Sequence, residues 1–382
     1  MGSWTTRRRV PHSGARVPPA DPAPSGTDDV ITALLALKRE AGTTEAAEAR
    51  RLLSDHLQAL GFRVDVQRFA FSTGTLNALP VFGAGLGWLT ILMIPLLLVA
   101  GAPSWAALAA WVPGLAALGT VASGIALGWA PARGEQREDA NLIIQRPDAL
   151  INRWIVAHVD TKAQRQSMAG RLVAVGTTVL GVLVMLALAV ARVAVVPPVW
   201  LVSAASGLTL AASVLCSRGR LRGRTVGAVD NGSGLVTALI AAETSDDRTG
   251  FILTGAEEFG LVGARILAQQ MPELVRGRDM INIDTVDDAG IVSIVSHDRL
   301  GSQLATRAAQ TLVLSDVQVR RRGLLPGIMV DSQAFARAGA RAVTIARLNW
   351  GTLRRVHTSR DTANGMNFRT ARAIGAWLGS VR

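Results

Sequence analysis

The sequence predicts an α/β protein that carries four transmembrane helices, inserted as two hairpins. Three observations lead there. Short apolar strands alternate with helical segments through the polar parts of the chain. Two long windows are apolar without interruption. Acids and histidines gather just past the strands, where an open α/β sheet binds its ligands. The hydrophobic share is 49% of 382 residues, with a mean hydropathy of +0.31, and the excess is concentrated in those two windows.

The charge balance narrows the partners. Forty basic against 28 acidic residues give +12, and almost all of the excess is arginine, since Lys38 and Lys162 are the only lysines. The basic groups flank apolar stretches, and no zinc finger, RRM signature or stacking aromatic platform accompanies them. A lipid bilayer is therefore the expected partner and nucleic acid is not. The single cysteine, Cys216, excludes an internal disulfide framework and reads as a small buried hydrophobe.

Residues 1–27 are rich in Arg, Pro, Ser and Ala without an apolar core, which fits a disordered tail rather than a signal peptide. The first folded part spans 28–77. In it, DDVITALLALKREAG and EAAEARRLLSDHLQALG have helical spacing, the second stopping at Gly61, and FRVDVQRFAF alternates as a strand. His56 sits within the second helix and reads as a packing or surface histidine.

The first hairpin occupies 78–131. No charged residue falls between Arg68 and Arg133, and the apolar segments 81–100 and 105–129 each have the ~20 residues a bilayer span needs. Trp88, Trp105 and Trp129 lie near the ends, as an interfacial belt would place them, and Pro95 and Pro113 are tolerable inside such helices. A second folded part, 132–171, holds a polar linker, a strand at 141–144, and the run from Arg153 to Ala157 that ends in His158-Val159-Asp160. The second hairpin, 172–217, pairs segments 172–191 and 199–216 around Arg192 and Pro197-Pro198. The third folded part, 218–382, contains strands at 251–254, 280–284, 291–295 and 342–345 with helices between them.

Positive charge sets the expected topology. The hairpin tips carry none (101–104) or one, Arg192, whereas the flanks carry Arg133, Arg137, Lys162, Arg165, Arg171, Arg218, Arg220, Arg222 and Arg224. The positive-inside rule puts both termini and every polar part in the cytoplasm, as a multi-pass cell-membrane protein.

The stretch FILTGAEEFG delivers two adjacent acids, Glu257 and Glu258, at the end of a β-rich run. They could simply open a helix in solvent. Adjacent acids repel, however, and a metal ion beside them would relieve that. His158, Asp160, Asp230, Asp284 and His357 are placed in the same way past apolar runs. Two histidines with several carboxylates suit Zn²⁺, and five candidate ligands exceed one tetrahedral site, so two ions sharing a carboxylate fit better.

The motifs AHVD (157–160), GAVDNGSG (227–234), TGAEEFGLVGA (254–264), INID (281–284), DSQAF (331–335) and HTSRDT (357–362) together resemble the family-28 metallopeptidases, the co-catalytic zinc aminopeptidases. The resemblance covers nearly all the polar parts. It implies a mixed central sheet flanked by helices, as in the zinc aminopeptidases and the phosphorylase/hydrolase-like fold, with a peptide as substrate. It also implies that His158 and Asp284 bind one zinc and Glu258 and His357 the other. Asp230 would bridge both ions, with a peptide bond to Asn231 that is often cis in the family. Glu257 would be the general base, Asp160 would orient His158, and Asp361 would support His357. The expected activity is release of N-terminal residues by zinc-activated water, Glu257 passing the proton to the leaving amine.

Two departures stand out. Where many members have a tyrosine before the last histidine, this chain has Val356 and no tyrosine anywhere. The second hairpin separates His158 from Asp230, only 13 residues from either ligand. At ~3.5 Å per residue both ligands stay within about 45 Å of the bilayer, so the site is expected to face it and to take membrane-near or hydrophobic peptides.

Other readings are a single-zinc glutaminyl cyclase, against which the retained His158-Val159-Asp160 argues, and a non-catalytic receptor or scaffold on a peptidase fold, against which the complete ligand set argues. A transporter lacks an ion path, since only Arg192 is ionisable within the apolar helices. His297 reads as a surface residue, Asp287 and Asp288 as a polar turn, and 320–322 as a solvated or membrane-facing arginine patch.

Overall fold

The computed structural model describes residues 26–381 except 313, 315, 316 and 326, so residues 1–25 of the expected tail lie outside the described residues. In chain order the elements are α1 (Thr27–Ala36), α2 (Thr44–Ala59), β1 (Arg63–Ser72), α3 (Ala78–Leu98), α4 (Ala106–Ala126), β2 (Gln136–Gln145), β3 (Arg153–His158), α5 (Met168–Ala191) and α6 (Val199–Ser217). There follow α7 (Ser233–Thr244), β4 (Thr249–Thr254), α8 (Val262–Gln270), α9 (Pro272–Val275), β5 (Asp279–Val286), β6 (Ile291–Ser296), α10 (Arg299–Thr311), β7 (Val319–Gly323), α11 (Asp331–Arg337), β8 (Arg341–Leu348), α12 (Trp350–Arg355) and α13 (Arg369–Ser380).

The eight strands form one mixed sheet in the order β1-β2-β4-β3-β5-β8-β6-β7. The centre, β4-β3-β5-β8, is parallel and built from unbroken apolar runs, as strands covered on both faces require. One face packs against α1, α2, α7, α10 and α13 through Leu34, Leu53, Leu235, Leu304 and Ile374. The other packs against α8, α9 and α11 through Leu267, Val275 and Phe335. This is the expected α/β architecture with a mixed sheet. The polar linker expected over 131–140 ends early, because β2 begins at Gln136 and pairs along the whole of β1. A backbone ladder can hold a polar sequence as a strand when one face stays in solvent.

Because β1 runs antiparallel to β2, and β2 antiparallel to β4, the carboxyl end of β1 lies at the same sheet edge as the carboxyl end of β3. Both inserted hairpins leave the sheet at that edge, α3 after β1 and α5 after β3. All four inserted helices are long and apolar enough to cross a membrane. They close into a bundle in which α3 touches α4 and α6, and α5 touches α4 and α6. Its interior is Leu86, Met93, Leu97, Trp111 and Met185, while Trp88, Trp105, Trp129 and Trp200 project outward. At Gly83 and Gly87 the backbone of α3 comes so near α6 that an added Cβ would lie 2.7 Å from Cys216 Cβ or Ser213 Oγ. The Ser213 hydroxyl donates across this contact to the Gly83 carbonyl, the small-residue packing expected between helices in lipid. Arg192, at the tip of the second hairpin, donates to the Val99 and Ala102 carbonyls and so pins the two tips together.

Candidate metal centre and active site

The parallel strands bring the sequence-distant acids and histidines to one edge. His158 is the last residue of β3, Glu257 and Glu258 follow β4 in a single 3₁₀ turn, and Asp284 lies where β5 loses register. Asp230 sits in the turn before α7, followed by a cis peptide bond to Asn231, and His357 in the turn after α12. All seven residues named from the sequence, His158, Asp160, Asp230, Glu257, Glu258, Asp284 and His357, are buried in one cluster.

The ligand atoms form two overlapping trios, His158–Asp230–Asp284 and Asp230–Glu258–His357. Within them His158 Nε2 is 3.2 Å from Asp230 Oδ1 and 3.8 Å from Asp284 Oδ1, while His357 Nε2 is 3.1 Å from Asp230 Oδ2 and 3.2 Å from Glu258 Oε2. Four ligands about 2.0–2.2 Å from a tetrahedral centre are spaced roughly 3.3–3.6 Å apart, so these edges suit zinc. Asp230 presents a different oxygen to each trio. Glu258 Oε1 and His357 Nδ1 are sealed from solvent without a hydrogen-bond partner. The donor set therefore fits two ions sharing Asp230.

Two supports act differently from the implied roles. His158 Nδ1 meets the main-chain carbonyl of Asp160 at 3.0 Å, with the Asp160 carboxylate farther away at 3.8 Å. That carboxylate instead accepts the N–H groups of Glu257 and Glu258, at 3.0 and 3.2 Å, and so shapes the acidic turn. Asp361 likewise accepts from the N–H groups of Val229 and Asp230, at 2.9 and 3.1 Å, fixing the bridging loop rather than the His357 ring. Strain is concentrated here, since Ala256, Thr285 and His357 all hold left-handed backbone conformations.

Burial and charge pull against each other. Burial pushes Glu257 well above the ordinary carboxylate range, with Glu258 adding to the push against the pull of His158. The same desolvation raises Asp160 to about 7. Asp230 goes down despite its burial because His158 and His357 both bond to it. Both imidazoles rise although burial opposes their charge, His158 through Glu257 and Asp230 and His357 through Glu258 and Asp230. A site this acidic demands cations.

Three members of the site went unrecognised in the sequence. Lys162 places its Nζ 2.6 Å from Glu258 Oε2. Asp331 accepts the Thr254 hydroxyl, and burial lifts its carboxyl to about 6. Arg39 is fully buried and donates to Val159 O, Leu34 O and Gly227 O at 2.9, 3.0 and 3.1 Å, tying together the loops that carry His158 and Asp230. Nothing in local spacing marks a buried arginine whose partners are distant carbonyls. Lys162 and Arg171, expected among the membrane-flanking charges, line the cavity over the cluster. His297, expected at the surface, is half-buried on the Ser332 hydroxyl. Asp287 and Asp288 are more than a polar turn. Asp287 accepts from Thr352 and Arg355, and Asp288 accepts three N–H groups at the start of α13.

Residues 212–381 match peptidase family M28. That stretch, 170 of the 382 residues, resembles the family. Its fold is shared with an aminopeptidase from Aneurinibacillus sp. strain AM-1 at TM-score 0.51 and 14% identity, over 94% of this chain and 93% of the other. A zinc aminopeptidase from Bacillus subtilis gives TM-score 0.51 and 14% identity, with 94% of each chain covered. The glutaminyl cyclase of Bacteroides thetaiotaomicron, solved with N-acetylhistamine, gives TM-score 0.53 and 13% identity, over 93% of this chain and 96% of that one. At such identities the likeness is one of fold. No curated protein matches the chain. The mixed sheet and the flanking helices are those of the aminopeptidase fold.

Proposed function

We propose that this protein is an M28-type, membrane-embedded, zinc-dependent aminopeptidase whose site faces the bilayer. The observation that carries the reading is the pair of ligand trios sharing Asp230, with Glu257 beside them. The Glu257 carboxylate lines the cavity and makes no hydrogen bond of its own among the described residues. When bound, two zinc ions held by His158, Asp230 and Asp284 and by Asp230, Glu258 and His357 would supply Lewis acidity to the scissile carbonyl and to water. Glu257, kept basic by its surroundings, takes the proton of the attacking water and returns it to the leaving amine. Asp160 holds the turn that aims Glu257. With valine at 356, oxyanion support falls to the metal-side groups.

The cavity also runs under the inserted bundle, lined by Leu76, Leu79 and Met168 on that side. This supports the preference for apolar or membrane-near peptides. One observation favours a second reading, a single-zinc glutaminyl cyclase. The Lys162 ammonium on Glu258 already puts one positive charge in the second trio.

Protein purified in mild detergent with zinc and given peptides with free or acetylated N-termini tests both readings. Release of single N-terminal residues from free peptides only, with two zinc ions per chain, is expected. Glu257→Gln should lower kcat by ~10²–10⁴-fold while retaining zinc. One zinc per chain, with cyclisation of N-terminal glutamine and no cleavage, would instead identify the cyclase.

A further inference from the structure

The wall of the cavity that faces the bundle holds two polar side chains the protein leaves unsatisfied. Arg171 lies in the first turn of α5, and its Nε is sealed from solvent without an acceptor. Among the described residues no carboxylate comes within ion-pair distance of its guanidinium. Gln166 is buried on the strap leading into α5, and its Oε1 likewise meets no partner. Both side chains line the same cavity as Asp230, Glu257, Glu258 and His357. The strap is fixed to the catalytic side, because the Gln164 N–H donates to His357 O at 2.8 Å and the Met168 N–H to Val356 O at 3.2 Å.

Arg171 is half-buried, with Nε sealed and unpartnered and no carboxylate among the described residues paired to its charge, so its place in a ligand cavity points to an anion that arrives with the ligand. The other cations there are differently placed. Lys162 is taken by Glu258, and Arg322 belongs to the exposed strand β7. A planar guanidinium matches a carboxylate through two parallel hydrogen bonds, and an adjacent amide can add a third in either orientation. Ala78 and Leu79 at the base of α3 and Met168 at the base of α5 line the same cavity, so a carboxylate on Arg171 and the metal-side groups would share one confined space. We propose that Arg171, assisted by Gln166, binds the C-terminal carboxylate of the substrate, and that the preferred substrates are therefore short peptides with a free carboxyl end. This deepens, and rests on, the aminopeptidase reading.

The experiment compares di-, tri- and tetrapeptide acids with the matching amides. Binding to zinc-loaded Glu257→Gln protein is followed by calorimetry, and turnover by the wild type in parallel. At one peptide length the acid should bind ~10–100-fold more tightly than the amide, the range for a charged hydrogen-bonded contact. Adding Arg171→Gln should bring the ratio close to one, and Arg171→Lys should restore part of it. Should Arg171→Gln fail to fold, Gln166→Leu is expected to lower the ratio several-fold. Equal binding of acid and amide, or a ratio that survives Arg171→Gln, would overturn the proposal. So would equal binding together with Arg171-dependent displacement of both peptides by phosphatidylglycerol, which would mark a lipid headgroup site. An Arg171-dependent ratio without cleavage of any peptide by the wild type would uphold the carboxylate site and reject the aminopeptidase reading.

Discussion

At the scale of single residues, the site stores charge that the protein alone handles badly. Asp160 near 7, Asp331 and Asp361 near 6, and Glu257 higher than its ordinary range are all acids raised chiefly by burial. A raised acid binds its proton more tightly folded than unfolded, so its contribution to stability falls as pH climbs from the unfolded value through the folded one. The raised imidazoles of His158 and His357 act in the same direction, their stabilisation being lost as pH passes their folded values. Protein stripped of metal should therefore lose on the order of a few kcal/mol between pH 5 and pH 8. Zinc should remove most of that loss, because ions replace the protons. Thermal unfolding with and without chelator across this range measures it, and a flat profile in the stripped protein would refute the charge account. Arg39 offers a second test. Arg39→Met leaves the Val159 carbonyl buried without a donor, while Gly227 O keeps the Gly232 N–H, and should cost ~1–3 kcal/mol. A shift in denaturation midpoint at unchanged slope is the expected signature.

At the scale of elements, much of the architecture was legible in the sequence because periodicity reports burial directly. The strands ending at His158 and just before Glu257 are short apolar runs, and the inserted helices are apolar windows whose one charge, Arg171, sits in the first turn of α5, so both emerge within a few residues of their expected bounds. What was hidden has a common cause. β7 is three arginines in a ladder at the sheet edge, with no apolar face to announce it. β2 begins in a polar stretch for the same reason. Lys162 and Arg171 carry the composition of a flank, and only the fold shows that both line the cavity over the candidate ligand cluster. Within the bundle, the α3–α6 contact depends on glycine at positions 83 and 87. Gly83→Leu would drive a branched side chain into Cys216 and the Ser213 carbonyl, at a cost of ~1–3 kcal/mol or more. Size-exclusion profiles and melting in detergent should show a loosened bundle, whereas Gly101→Leu at the open tip should melt like the wild type.

At the scale of the whole molecule, the decisive feature is that both hairpins depart from the edge of the sheet that carries the candidate site. On the proposed membrane reading, a bundle inserted there fixes which way the site looks, and the charges at its base set the side of the bilayer. With Lys162 and Arg171 drawn into the cavity, the base still carries Arg133, Arg137, Arg165, Arg218, Arg220, Arg222 and Arg224. The tips offer Arg192 alone, and it is folded onto tip carbonyls. The asymmetry thus survives the loss of two charges, and on the proposed membrane reading the positive-inside rule predicts that the side carrying the candidate site faces the cytoplasm. Single cysteines test this once Cys216, the only native one, is replaced by alanine. In intact cells Ser104→Cys at a tip should react with a membrane-impermeant maleimide, and Arg222→Cys at the base should react only after lysis. The reverse pattern would place the site outside the cell, where its substrates would be extracellular peptides. Labelling of both positions in intact cells would mean that the apolar bundle does not span the bilayer at all.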